Sequence, residues 1–236
     1  VYLSSESYNQ AHANIVDTDI KKVVDAWYSG GTTSDKECYE FSWPWSNANC
    51  DFSTLTTKLS NYSSLIANTP YCSDRSISEG GEWWGDDFGE LGYGDNNTLF
   101  GVMARLFRNG VEWSNANSNP TYKCVQKNDK FTLKVDNGGT NGFGNNALTY
   151  PIGLLTSDEA IYAGGLGYTE NDTYFLNTGK DYWTMTPTYY DYGSPDLSII
   201  YGSGSVELNY GIQGDAGVIP VIALKSYASV SSGNGT

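Results

Sequence analysis

The chain has 236 residues, 27 of them acidic and 13 basic, for a formal charge of −14 and an isoelectric point near 4.2. Such a surface repels phosphate backbones, which argues against a nucleic-acid partner. No apolar run is long enough to span a bilayer, and no signal peptide precedes Val1, so any export or anchoring segment is expected to have been removed before this form.

Only 17% of residues are charged, while 19 are tyrosine. That balance predicts an exported protein whose surface is built from hydroxyls and amides. The length suffices to bury a sizeable core without cross-links. A single extracellular domain is expected, with residues 1–16 as a lead-in, 17–225 as the globular module and 226–236 as a polar tail.

Four cysteines, Cys38, Cys50, Cys72 and Cys124, fall in the first half with no C-x-x-C pair, which disfavours a zinc ribbon and favours two disulfides. Of the three pairings, the sequential one is preferred, Cys38–Cys50 closing a short loop and Cys72–Cys124 tying a turn to a strand. On chain-entropy grounds these contribute roughly 3 and 4 kcal/mol. The competing reading is four buried thiols in a cytosolic protein.

In chain order, Ile20, Val23, Val24, Trp27 and Tyr28 recur at helical spacing after a cap at Asp17 or Thr18, and Gly30-Gly31 ends the helix. Residues 32–51 form a loop that carries Trp43 and Trp45. These rings are either a stacking platform for sugars and other flat apolar faces or a cover over the core. Residues 53–68 hold one or two short helices. Between Cys72 and Tyr93, a Gly- and acid-rich segment offers Asp86, Asp87, Glu90 and, just beyond, Asp95 as oxygen ligands for calcium. The EF-hand pattern is absent, and a solvated acidic loop explains the same residues.

Residues 121–135 alternate as a hairpin about Lys127-Asn128-Asp129, and 136–146 is a Gly/Asn loop. In Tyr150–Gly165, Ile152, Leu154 and Leu155 form a short strand. Thr156 and Glu159 then make a capping box, and Gly164-Gly165 a stop, so a short helix begins at this point. Strands follow at Tyr182–Pro187, Leu197–Tyr201 and Ser205–Tyr210. Val218–Leu224 reads as a continuous apolar strand fit for full burial.

Three segments, YPIGLLTSDEA (150–160), YWTMTP (182–187) and GVIPVIALK (217–225), resemble those of uncharacterised surface proteins of Gram-positive bacteria. More remotely, they resemble the C-type-lectin-like modules of the formylglycine-generating-enzyme and major-paralogous-domain groups. Residues 17–135 match the first group loosely, through the 17–28 helix and CSDRS (72–76). The resemblance implies an α+β fold, a C-type-lectin-like mixed sheet with two or three helices and long loops, and a place at the cell surface. It carries over neither the late cysteines of formylglycine-generating enzymes nor the calcium-binding tripeptides of sugar-binding lectins, which this chain lacks. Some of these surface proteins begin with a pilin-like membrane helix.

The only histidine is His12, so a triad or a zinc site would lack residues, and no carboxylate spacing singles out a glycosidase pair. A non-catalytic role is therefore expected. Tyr189, Tyr190, Tyr192, Tyr201 and Tyr210 lie among Ser, Asp, Asn and Gly, the composition of recognition loops. Three functional readings follow. The first is an adhesion module that contacts a glycan or protein ligand through these tyrosines, joined by Trp43 and Trp45. The second is a filament or layer subunit that binds copies of itself, and the third is a secreted hydrolase.

Overall fold

The computed structural model describes residues 19–33, 39–40, 46–47, 50–78, 82–83, 86–87, 98–109, 112–113, 118–134, 143–191, 194–211 and 216–229. Its centre is a five-stranded mixed sheet. The principal strands are β1 (Tyr71–Cys72), β2 (Thr98–Leu99), β3 (Lys130–Phe131), β4 (Gly153–Leu154), β5 (Leu166–Gly167), β6 (Tyr182–Asp191), β7 (Ser194–Ile200), β8 (Ser205–Gly211) and β9 (Pro220–Val221). Five of them form the sheet in the order β5-β8-β7-β6-β2, parallel between β5 and β8 and antiparallel elsewhere. Together with the helices, it makes the α+β fold with long loops that the sequence predicts.

The long meander of β6, β7 and β8 follows from aromatic and β-branched residues that alternate across the pleat. Tyr182 and Trp183 are chain neighbours that pack into different apolar clusters, as opposite faces of one strand require. Pro187 cannot donate to a ladder, and the register between β6 and β7 shifts on either side of it. The strand nonetheless continues past Pro187 to Asp191, further than expected.

Three α-helices lie among the described residues: α1 (Asp19–Ser29), α2 (Gly101–Leu106) and α3 (Ser157–Tyr162). In α1, Ile20, Val24 and Tyr28 are buried at four-residue spacing and pack with Ile66, Ile152, Trp183 and Leu197. Its glycine stop is real, with the Gly31 N–H bonded to the Ala26 carbonyl at 2.8 Å. Too short to stand alone, α2 is held by packing. Val102, Met103 and Leu106 have no exposed surface, and burying each contributes roughly 1.5–3 kcal/mol.

The capping box of α3 is formed as expected. Glu159 N–H donates to Thr156 Oγ1 at 3.1 Å, and Thr156 N–H donates to Glu159 Oε2 at 2.8 Å. A second hydroxyl from the sheet joins it, because Ser157 N–H donates to Thr186 Oγ1 at 2.9 Å. At the other end Gly164 adopts φ +108°, and bonds from Gly164 and Gly165 N–H to the Ile161 and Ala160 carbonyls close the helix. Residues Leu59–Leu65 supply the expected short helix as a 3-10 turn.

Two expectations are overturned. The 121–135 hairpin does not form. Lys127–Asp129 is a turn, but the arm after it, β3, pairs with β1 instead of with residues 121–126. Nor is Val218–Leu224 a fully buried strand. Only Pro220–Val221 is laddered, against β4, residues 218–223 are half-buried, and Leu224 is 51% exposed. Pro220 lacks a donor, and beyond the two laddered residues the segment bonds to the 65–67 backbone through Ala223 and an isolated Leu224 bridge to Ile66, so no continuous strand forms.

The Cys72–Cys124 disulfide is present, though with the roles reversed, since Cys72 lies in a strand and Cys124 in the irregular segment. Cys50 is also disulfide-bonded, and its expected partner Cys38 lies outside the described residues. None of the helices among the described residues is long and apolar enough to cross a membrane. Thr156→Ala should lower the unfolding free energy by about 1 kcal/mol, read as a smaller urea midpoint at unchanged slope.

Candidate functional site

The segment Ser118–Gln126 has no ladder of its own, yet it is fixed at four points. Asn119 N–H donates to the Arg105 carbonyl at 2.7 Å, and Thr121 N–H to Asp158 Oδ1 at 2.8 Å. The Tyr162 hydroxyl donates to the Pro120 carbonyl at 2.8 Å, and Cys124 is bonded to Cys72. Irregular backbone tied in this way is preorganised, and presents side chains at little further entropic cost.

Those ties converge on a buried charge network. Arg105, from α2, grips Asp158 of α3 with both teeth of its fork, Nε to Oδ1 at 2.9 Å and Nη2 to Oδ2 at 2.7 Å. Its third nitrogen reaches Asp74 at 2.8 Å. Burial pulls the Arg105 guanidinium down, but Asp158 and Asp74 outweigh it and leave the pKa above the ordinary arginine value. Next door, Arg75 Nε and N–H both donate to Asp129, at 2.6 and 2.8 Å. Burial of Asp129 raises its carboxyl pKa above the usual value, and Arg75 opposes that rise.

On this base stands an aromatic pair. The Tyr122 and Tyr162 rings stack with centroids 4.3 Å apart and planes 10° from parallel, although they are 70% and 49% exposed. Val125, further along the same segment, is 78% exposed. Lys123 and Lys127, on either side of Val125 in the chain, are exposed. A rigid tyrosine pair with neighbouring cations offers ring faces, hydroxyls and positive charge to a ligand.

The tyrosines expected to carry contact are placed differently. Tyr189 and Tyr190 belong to β6 rather than to a loop, and Tyr190 is 2% exposed within the apolar cluster under α2 and α3. Tyr189 is half-buried and pairs with Leu99. Tyr201 is half-buried at the β7–β8 turn, its N–H bonded to the Ser205 carbonyl. Tyr210 lies on β8 opposite Leu197. The physical reason is that aromatic runs also suit strands, and this one is claimed by the sheet. Trp43, Trp45 and Tyr192 lie outside the described residues.

Of the proposed calcium ligands, Asp86 and Asp87 form a two-residue strand against Glu82–Trp83, while Glu90 and Asp95 lie outside the described residues. Among the described residues no group of three or more His, Cys, Asp or Glu is placed to hold a metal ion. His12 lies outside them too. Residue by residue, the sequence concealed the Tyr122–Tyr162 pair because its rings are 40 positions apart. The one usable sign was Cys124, whose disulfide had to pin this stretch to the body.

No family model, curated protein or solved structure matches the chain.

Replacing Asp158 with Asn removes the carboxylate that holds two of the Arg105 nitrogens and the Thr121 amide, and leaves Asp74 to balance the guanidinium. That change should cost about 1.5–3 kcal/mol in urea unfolding, whereas Lys127→Gln at the exposed turn after the segment should leave stability within about 0.5 kcal/mol.

Proposed function

We propose that the chain is an extracellular, non-catalytic binding module of the adhesion type, as its resemblance to C-type-lectin-like surface modules implies. The observation that supports this most is the exposed Tyr122–Tyr162 stack on a segment held by Asp158, Arg105 and Cys72. Monomeric proteins seldom leave large apolar rings open in one place without use. Here the energy spent on fixing the segment brings no burial to the rings it displays. A disulfide-linked chain with an acidic, hydroxyl-rich surface suits an oxidising compartment. The contact surface is thus moved from the β6–β8 tyrosines to Tyr122, Tyr162 and the adjoining Lys123 and Val125. The ligand is a glycan or a protein at a cell surface.

Binding to glycan arrays and to immobilised extracellular-matrix proteins tests this. Retained ligands should lose more than about tenfold in affinity with the paired substitution Tyr122→Ala and Tyr162→Ala, with the sheet still folded by circular dichroism. Equal binding by the doubly substituted chain would remove this surface, and turnover of an arrayed substrate would replace the binding reading with an enzymatic one.

A further inference from the structure

Away from the stacked pair, a cleft of about 470 Å3 opens between the end of α1, the 3-10 turn and residues 149–151. One wall is aromatic. Half-buried Tyr150 stacks on Tyr28 with centroids 4.9 Å apart and planes 24° apart. Around it stand neutral hydrogen-bonding groups from Ser63, Asn68 and Thr149. The side chains of Ser63 and Asn68 are exposed and make no hydrogen bond among the described residues.

Charge sets this cleft apart from the acidic average of the chain. Acidic residues outnumber basic ones 27 to 13 over the chain, yet among the described residues no carboxylate lines the cleft and Lys225 does. A second ammonium stands at the rim, where Lys134 Nζ is 3.4 Å from Thr149 Oγ1. Lys225 Nζ is steadied by the Ser64 carbonyl at 2.7 Å and lies 5.8 Å from the Tyr227 ring. Neither lysine has a carboxylate partner among the described residues.

We propose that this cleft binds an acidic saccharide, a pyranose unit bearing a carboxylate, without the help of a metal. The Tyr150 wall takes the apolar C–H face of the sugar. Ser63, Asn68 and Thr149 exchange hydrogen bonds with its hydroxyls. Lys225 and Lys134 meet the carboxylate through charge-assisted bonds, which are roughly twice as strong as neutral ones. The site is independent of the Tyr122–Tyr162 surface and stands or falls separately from it.

Titrating the full chain with a galacturonic acid tetramer and with its methyl ester, each in the presence of a chelator, and following backbone amides by NMR, decides the matter. The free acid should shift the amides of Ser63, Asn68, Thr149 and Lys225. The ester should bind about tenfold more weakly, the equivalent of one charge-assisted bond. Lys225→Gln should reproduce that loss with the acid. Asn68→Ala, at an exposed position, should weaken both oligomers, and it keeps the test valid if the lysine variant fails to fold. No shift at these amides, equal affinity for acid and ester, or shifts confined to Tyr122 and Tyr162 would overturn the proposal. The last outcome would leave the adhesion reading standing.

Discussion

Arg105 has one guanidinium and three obligations, two to Asp158 and one to Asp74. Through them it fixes α2 against α3, the 73–76 segment against α2 and, by way of Asp158, the irregular segment at Thr121. Buried ion pairs contribute little net stability compared with apolar replacements, because desolvation offsets most of the Coulomb attraction. What they impose is geometry. A fork that is satisfied in only one arrangement leaves α2, six residues long, a single seat on the sheet.

The CSDRS stretch (72–76) is the counterpart on the other side. Cys72 bonds to Cys124, Ser73 N–H donates to the Asp129 carbonyl, and Asp74 and Arg75 turn to different partners of opposite charge. The Ser76 carbonyl then accepts the first amide of α2, from Gly101 at 2.7 Å. Five consecutive residues thereby join a strand, a helix start and a turn. The hydrophobic clusters on the two faces of the sheet supply most of the stabilising burial. The polar seam decides how the loops lie upon them.

What could be read from the sequence was local in origin. The box at Thr156 and Glu159, the glycine stops after α1 and α3, and the alternation in β6, β7 and β8 each need only neighbours within a few residues, and each is found. Arg105–Asp158 spans 53 positions, and nothing in composition or spacing announces such a pair. The same limit explains the failed hairpin: Lys127–Asp129 turns as expected, but β3 finds its partner at Tyr71–Cys72, some 60 residues back. The tyrosines of residues 189–210 depart from expectation for a different reason. Tyrosine serves strands and recognition surfaces alike, and only burial tells them apart, as the 2% of Tyr190 and the 70% of Tyr122 show.

Display of Tyr122 depends on a segment with no sheet or helix to hold it, so the central claim is that Asp158 and Arg105 make that segment part of the rigid body. Native-state hydrogen exchange at the Thr121 amide tests it most directly. If the claim holds, Thr121 N–H exchanges as slowly as the amides of β6 and β7, opening only when the whole domain unfolds. Exchange of Thr121 at the rate of a free chain, while the sheet amides stay protected, would contradict it.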